Sequence, residues 1–261
     1  MTFPTLFLSH GSPTLAIEES PARAFLRSYG RTLGKPRAIV IASAHFETSR
    51  PAVSGDERPG MIYDFRGFPD ALYRIVYPAP GDPAAAIKVA GLLENAGFAP
   101  AMVKDRGYDH GTWVPLSLLY PEADVPVIQL SVQPQQGAAH HLSVGRALAS
   151  LKSEDFLIIG SGTASHNLLA FFRGGYRSDA PTPDWVSSFD TWVREKAQAG
   201  AVEDLVNYRE RAPYARENHP SEEHFLPFHV ALGAAGEGAR GELVHSSHSH
   251  GVLTMDAYAF H

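Results

Sequence analysis

Short apolar segments that alternate with longer, helix-like stretches constrain the fold of this chain more than any other feature. Their length and their content of β-branched residues favour buried strands over helices. These segments are Thr5–Ser9, Ala38–Ala44, Val125–Val132 and Phe156–Ile159. Because strands and helices alternate along the chain, the sequence predicts a layered α/β fold built around one sheet.

Helix signals occupy the stretches between these strands. Ser20 and Asp82 each precede a proline, which is the arrangement of an N-cap residue followed by the first helical position. The helix that begins at Asp82 is expected to end at Gly97. Further helices are predicted at Ala138–Leu151, Asp184–Ala199 and Ser221–Gly233, with Pro227 as an alternative start for the last of them.

The C-terminal stretch Gly241–Phe260 has the pattern of two extended segments, so we expect the sheet to be mixed. We find no internal repeat, linker or low-complexity segment in the sequence. Residues 1–261 are therefore predicted to form a single catalytic domain, which is a common size for one α/β unit.

Composition excludes several classes of function. The net charge of -6 and the absence of a basic stripe argue against nucleic acid as a partner. No apolar run approaches the roughly 20 residues that a membrane span needs, and the N-terminus lacks the basic region of a signal peptide. We therefore expect a cytoplasmic protein. The chain has no cysteine, so any metal must be held by nitrogen and oxygen ligands.

The 13 histidines are unusually placed. His10 directly follows the first predicted strand, His45 the second, and His166 lies shortly after Phe156–Ile159, beyond the glycine-rich turn at 160–162. Sites in open α/β sheets form beyond the carboxyl ends of the strands. A single histidine there most often caps a turn, but three at one sheet edge favour a shared site.

Two further histidines are candidates with more than one interpretation. His110 lies in a predicted loop before a helix at Val114–Tyr120, either as a turn residue or facing a pocket. Ser221 is a candidate helix cap that would place His224 in the first helical turn. There, His224 or Glu223 is a candidate third metal ligand, although an acidic residue also complements the helix dipole.

Seven further histidines are interpreted as structural. A dense tail motif resembles a local metal-binding tract, but it lies in a strand-turn region and we favour a structural role; its members are His245, His248 and His250. The other four are predicted to be surface or packing residues, namely His140, His141, His229 and His261. The sequence has neither an H-E-x-x-H motif nor a G-x-S-x-G elbow, which argues against a zincin protease and a serine hydrolase.

Taken together and in order, several motifs resemble the DOPA-type extradiol dioxygenases, relatives of the class III protocatechuate ring-cleaving enzymes. The similarity spans nearly the whole chain. Its elements are LFLSHGSP at Leu6–Pro13, SAHF at Ser43–Phe46, YDFRGFPDALYRIVYPAPGDP at Tyr63–Pro83, DHGTWVPL at Asp109–Leu116, YPEADVPVIQLSV at Tyr120–Val132, GSGTASHN at Gly160–Asn167 and HPSEEHFLP at His219–Pro227.

The resemblance implies a three-layer α/β/α fold with a central mixed, mostly parallel sheet and one mononuclear metal ion. It places the metal ligands at His10, His45 and His224. His166 corresponds to the acid/base histidine, and His110 to the substrate-contacting histidine. Phe46 stands where the family usually has tryptophan and is a candidate substrate-binding residue. Leu169 stands where the family often has arginine.

The expected activity is extradiol cleavage of a DOPA-like or other small catechol with O2. Fe²⁺ is expected to support activity and Zn²⁺ to be an alternative bound ion, because imidazoles bind both. One rival is a zinc hydrolase with Glu223 or Glu47 as the base. The other is a Memo-like, non-enzymatic binding protein. The oligomeric state is left open.

Overall fold

The computed structural model describes residues 3–177 and 179–261. Its strands are β1 (Thr5–Ser9), β2 (Ala38–Glu47), β3 (Ala52–Ser54), β4 (Ala101–Val103), β5 (Val127–Val132), β6 (Phe156–Gly162), β7 (Gly241–His245), β8 (His248–Ser249), β9 (Leu253–Thr254) and β10 (Ala257–Phe260). Its α-helices are α1 (Pro21–Leu33), α2 (Pro83–Asn95), α3 (His110–Leu119), α4 (Gly137–Leu148), α5 (Leu168–Gly174), α6 (Asp184–Ala199), α7 (Val202–Val206), α8 (Tyr208–Arg211), α9 (Ala215–Asn218) and α10 (Leu226–Ala235).

Eight of the strands form one mixed sheet in the order β4-β3-β5-β2-β6-β1-β10-β7. Parallel pairing joins β5 to β2, β2 to β6, β6 to β1 and β3 to β4. Antiparallel pairing joins β3 to β5, β1 to β10 and β10 to β7. The parallel strands β5, β2, β6 and β1 therefore end at the same edge of the sheet, which is where an α/β fold places its site.

Helices cover both faces of this sheet, because its strands are apolar on both faces. In β1, Leu6 and Leu8 join the core cluster that includes residues of α1 and α3. Phe7 lies between them on the opposite face and packs in the cluster formed with α6 and α10. Burying one such side chain contributes roughly 1.5–3 kcal/mol to the stability of the folded state. The predicted three-layer α/β/α fold with a mixed sheet is confirmed.

Local signals placed several helix starts correctly. The side chain of Ser20 accepts a hydrogen bond from the backbone of Arg23 at the start of α1, and Asp82 caps α2 in the same way. The structure also has α6 over the predicted range. The C-terminal stretch differs from the prediction of two extended segments, because a small β8–β9 hairpin lies between the paired strands β7 and β10.

The predicted glycine-rich turn after the fourth strand is wrong, because Gly160 and Gly162 belong to β6. A Cβ at Gly160 would lie 2.0 Å from the carbonyl oxygen of Pro227, and one at Gly162 would lie 2.0 Å from that of His224. Glycine is needed here because the chain that leads into α10 crosses β6 at backbone contact distance. The close approach brings His224 to the sheet edge.

Three further local predictions need correction. His45 lies within β2, which continues to Glu47, instead of following the strand. His110 is the first residue of α3 and not part of a loop, since Asp109 accepts a hydrogen bond from the backbone of Thr112 and caps the helix. His224 lies in the turn before α10, so Ser221 does not place it in a helix.

Among the described residues, no helix combines the length and the apolar character that crossing a membrane requires.

Candidate metal centre

Five histidines that are far apart in the sequence meet at the carboxyl edge of the sheet. His10 directly follows β1, and His45 lies near the end of β2. His110 begins α3, His166 lies in the loop after β6, and His224 lies in the turn before α10. The parallel strands explain this meeting, because their ends share one edge.

The three predicted metal ligands lie close to one another. The Nε2 atoms of His10 and His45 lie 3.0 Å apart. The ring centre of His224 is 5.5 Å from that of His10 and 4.9 Å from that of His45. All three side chains are largely buried. The geometry therefore places three imidazoles close enough to face a single ion.

The other two histidines border this triangle on opposite sides. The His110 ring centre lies 3.9 Å from that of His45. The His166 ring stacks on His224 with centres 3.5 Å apart and an interplanar angle of 12°. The side chains form two groups of possible ligand atoms, and the atoms of each group lie within 4.8 Å of one another. One group is His10, His45 and His110, and the other is His166, Glu223 and His224.

Hydrogen bonds determine which nitrogen of His10 carries the proton. The Ser161 hydroxyl donates to the backbone carbonyl of Gly111, so its oxygen must accept from Nδ1 of His10, 3.0 Å away. Neutral imidazole carries one proton, and Nε2 is therefore left with a free lone pair. This nitrogen is the one that faces His45.

His224 has the same proton arrangement. Its Nδ1 lies 3.0 Å from Oε1 of Glu223, and a carboxylate oxygen only accepts. The proton therefore lies on Nδ1, and Nε2 is free to bind a metal. Histidine ligands in metal sites commonly donate their second ring N–H to such a partner. Glu223 is thus the hydrogen-bond acceptor of the candidate ligand His224.

Asp64 is a functional-site residue that the sequence analysis did not single out. Its Oδ1 lies 2.8 Å from Nδ1 of His110 and accepts the backbone N–H of the same residue at 3.1 Å. Its Oδ2 lies 3.4 Å from Nδ1 of His45. The only sequence signal was the position of Asp64 within the YDF motif that contributes to the family resemblance.

Burial keeps four of these histidines neutral, namely His10, His45, His166 and His224. It lowers the pKa of His10 and His224 well below the ordinary value of 6.5, with the neighbouring histidines adding to the effect. Burial also lowers the pKa of His45 to about 3 and that of His166 to about 4. Metal ligation requires neutral imidazole, so the environment presents these rings in the form that binds.

The pKa of Asp64 is lowered, whereas burial alone would raise the pKa of an acid. Burial raises it, but the hydrogen bonds from the side chain and backbone of His110 outweigh this and lower it to about 2. The group is therefore an ionised carboxylate across the physiological pH range.

A second network fixes the end of β2 against α3. The carboxylate of Asp109, which is buried, accepts from Ser43 at 2.7 Å and from the Arg106 guanidinium at 2.6 Å. That guanidinium lies 3.8 Å from the ring centre of Phe46, which is itself buried. The predicted contact of Phe46 with substrate stays a prediction. Glycine is required at position 111, since a Cβ there would lie 2.6 Å from the Ser43 hydroxyl.

The histidines interpreted as structural have ordinary partners. His245 bonds Ser247 at 2.8 Å and stacks on Phe25, and His248 bonds Asp190 at 2.9 Å. No tail histidine joins a candidate metal group within the described ranges. His141 and His229 are buried and bonded to backbone groups, His140 bonds a glutamine side chain, and His261 is exposed.

Comparisons with known proteins agree with this geometry. The sequence matches the family model described as the catalytic LigB subunit of aromatic ring-opening dioxygenase over residues 4–261. It is 45% identical over 262 residues to the 4,5-DOPA dioxygenase extradiol of Beta vulgaris, covering 98% of this chain and 96% of that protein. A relative with the same description from Escherichia coli K12 is 40% identical over 88% of this chain and 84% of its own length.

A solved structure is also similar. The crystal structure of an uncharacterized protein from Escherichia coli K12 matches with a TM-score of 0.79 and 32% identity, over 98% of this chain and 99% of that one. The chain belongs to the LigB family of aromatic ring-opening dioxygenases. Its resemblance to the DOPA-type extradiol dioxygenases is confirmed, and this membership supports extradiol ring cleavage.

Proposed function

We propose that this protein opens the ring of a small, DOPA-like catechol by extradiol cleavage with O2, at one divalent metal ion held by His10, His45 and His224. The observation that carries the proposal is the convergence of these three neutral imidazoles at the sheet edge. Family membership supports the reaction class. The names of the relatives support a catechol of the DOPA type as substrate.

The donor set fits a divalent transition metal. Nε2 of His10 carries a lone pair and lies 3.0 Å from Nε2 of His45. Two nitrogens at this distance must share a hydrogen or bind a common cation. Nitrogens bound to one ion at 2.0–2.1 Å and at right angles would be separated by about 3 Å. Fe²⁺ and Zn²⁺ both accept such imidazole ligands.

We assign iron to the active form and zinc to a form without turnover. When bound, the ferrous ion would hold catechol and dioxygen together and pass electron density between them. Zinc has no redox chemistry and would compete for the same nitrogens. Metal removal followed by reconstitution with one ion at a time separates these two forms.

His166 is the proposed acid/base residue. Within the described part of the chain, its ring nitrogens have no hydrogen-bond partner, and its backbone N–H donates to Asn218. The ring is held against the His224 ring by stacking, beside the proposed metal position. A neutral imidazole placed there can take a proton from a catechol hydroxyl and return it later in the reaction.

His110 is proposed to contact the substrate. Because Asp64 holds its Nδ1, the ring orientation is set and Nε2 is left free. The ring adjoins His45. The same proton arrangement would also suit a metal ligand, so the assignment rests on the family resemblance, and comparison of the His110→Ala and His224→Ala variants tests it directly. Metal should be retained in the first variant and lost in the second.

A hydrolytic role is less well supported by the site. The hydrolase alternative requires a free carboxylate base, and Oε1 of Glu223 is occupied by His224 and by Ser221. Glu47 is exposed at the end of β2. The binding-protein alternative is disfavoured by the family, which is described by its catalytic subunit.

The experiment that tests the proposal is oxygen uptake by iron-reconstituted protein against a panel of catechols. We expect stoichiometric uptake and a yellow semialdehyde product, detected by its absorbance. Protein loaded with zinc is the control. A reconstituted enzyme that binds iron but consumes no oxygen with any catechol would contradict the proposed function.

A further inference from the structure

We propose that Asp64 is a positioning residue that sets the proton location on two histidines at once, on His45 and on His110. The inference rests on the proposed metal function and extends it to a residue in the irregular segment between β3 and the helical turn at Leu72–Arg74. One carboxylate would then couple a metal ligand to a substrate-contacting residue.

The two oxygens of Asp64 serve different histidines. Oδ1 accepts from His110 twice, from Nδ1 at 2.8 Å and from the backbone N–H at 3.1 Å. Oδ2 lies 3.4 Å from Nδ1 of His45. The side chain of Asp64 is 23% exposed, so most of the carboxylate is shielded from water that competes for these contacts.

The backbone contact determines which oxygen faces which histidine. His110 is the first residue of α3, and the first amides of a helix have no partner within the helix. Oδ1 satisfies one of these amides and favours negative charge at the helix N-terminus. This requirement for an acceptor at the helix leaves Oδ2 to face His45.

Because both oxygens only accept, His110 donates its Nδ1–H to Oδ1, and the approach of Oδ2 to 3.4 Å favours an Nδ1–H on His45 when the ion is bound. The free lone pair of both rings is then on Nε2. For His45, this nitrogen faces His10 at 3.0 Å, where the proposed ion binds. For His110, it leaves the nitrogen away from Asp64 free for substrate.

Asparagine at position 64 would provide a hydrogen-bond acceptor for His110 but not for His45. Its amide has one oxygen and one NH2 group. The helix amide of His110 and Nδ1 of the same residue both need the oxygen, so the NH2 group would face His45. His45 would then have to accept through Nδ1 and carry its proton on Nε2, the nitrogen that the ion needs.

The test compares Asp64→Asn with Asp70→Asn, an exposed aspartate in the same segment, as the matched control. Zn²⁺ affinity is measured on metal-free protein by competition with a chromogenic chelator. The histidine tautomers are read from ¹⁵N chemical shifts in long-range ¹H–¹⁵N NMR spectra of the zinc-loaded proteins. Neither readout depends on catechol turnover.

We expect D64N to bind Zn²⁺ about 10- to 100-fold more weakly, the usual cost of losing a partner of a ligating histidine. His45 should change from the Nδ1–H to the Nε2–H tautomer, while His110 keeps Nδ1–H and D70N matches the wild type. Unchanged Zn²⁺ affinity in D64N, or an Nε2–H tautomer of His45 in the zinc-loaded wild type, would overturn the proposal.

These outcomes are distinguishable from failure of the proposed function. If no catechol is consumed by the iron-loaded wild type, the reaction assigned to the site is wrong. The zinc affinity and the tautomers of the D64N variant still report on Asp64 in that case. If turnover is found and D64N changes neither readout, only the role of Asp64 is wrong.

Discussion

Two histidine-rich regions of this protein differ in whether their side chains lie together in the folded structure. The tail motif places His245, His248 and His250 within six residues, yet their side chains bond to different partners. The histidines of the candidate metal centre are separated by up to 214 positions, from His10 to His224, and lie close together at the sheet edge.

The difference follows from backbone geometry. His248 lies in β8, whereas His250 lies in the turn that follows with a positive φ of 54°, so strand alternation does not bring their side chains together. Residues at the ends of parallel strands, in contrast, are brought to one edge by the sheet itself. Density of histidines along a sequence is therefore a weaker indication of a metal site than their positions relative to strand ends.

The largest expected effect comes from removing a proposed ligand. His10→Ala or His224→Ala should lower metal affinity by more than about 100-fold, the upper end of the loss for residues that only support a ligand. His248→Ala in the tail should leave metal content unchanged. Metal analysis of the purified, iron-reconstituted variants checks this. Equal metal loss in both regions would remove the distinction between them.

The next effect concerns chemistry without metal loss. His166→Ala should retain the ion but lower kcat by about 10²- to 10⁴-fold, the range for a general acid/base group. Steady-state oxygen uptake and metal analysis on the same samples measure both quantities. Loss of the metal together with activity would instead make His166 a ligand, and undiminished turnover would remove its acid/base role.

In the tail region, the carboxyl group of Asp256 lowers the stability of the folded state in a pH-dependent way. Burial and the nearby Asp190 raise the pKa of Asp256 to about 7, and its Oδ1 has no partner among the described residues. The folded state therefore retains a proton that the unfolded state releases near pH 4, so this group lowers stability as pH rises from about 4 to 7.

Asp256→Asn should remove that cost. We expect the variant to gain little at pH 4 and on the order of 2–4 kcal/mol at pH 8 relative to the wild type. Urea unfolding at both pH values measures the difference. A gain that is the same at the two pH values would show that charge on Asp256 is not its source.

The smallest expected effect tests how the turn with His224 is seated on the sheet. Gly162→Ala would place a Cβ 2.0 Å from the carbonyl oxygen of His224. Overpacking of this kind costs about 1–3 kcal/mol and should displace the proposed ligand. Gly91→Ala is the control, because nothing lies within 4 Å of its Cβ position. The thermal unfolding temperature and the Zn²⁺ affinity should both fall in Gly162→Ala and stay unchanged in Gly91→Ala.

The sequence by itself determined four central strands, several helix starts and the candidate histidines. Caps at Ser20 and Asp82 and the apolar pattern of β1 act within a few residues, so they can be read along the chain. His10, His45 and His166 were indicated by their place after strands, and His110 and His224 were assigned by the family resemblance.

Only the tertiary structure decided how these residues work together. That Asp64 lies between two histidines and that Ser161 and Glu223 fix the ring protons could not be read from local pattern. Each of these facts joins residues that are brought together by strand crossovers or by a tight turn. Helix and strand signals are short-range, whereas a ligand's proton position depends on whichever acceptor the fold places beside it.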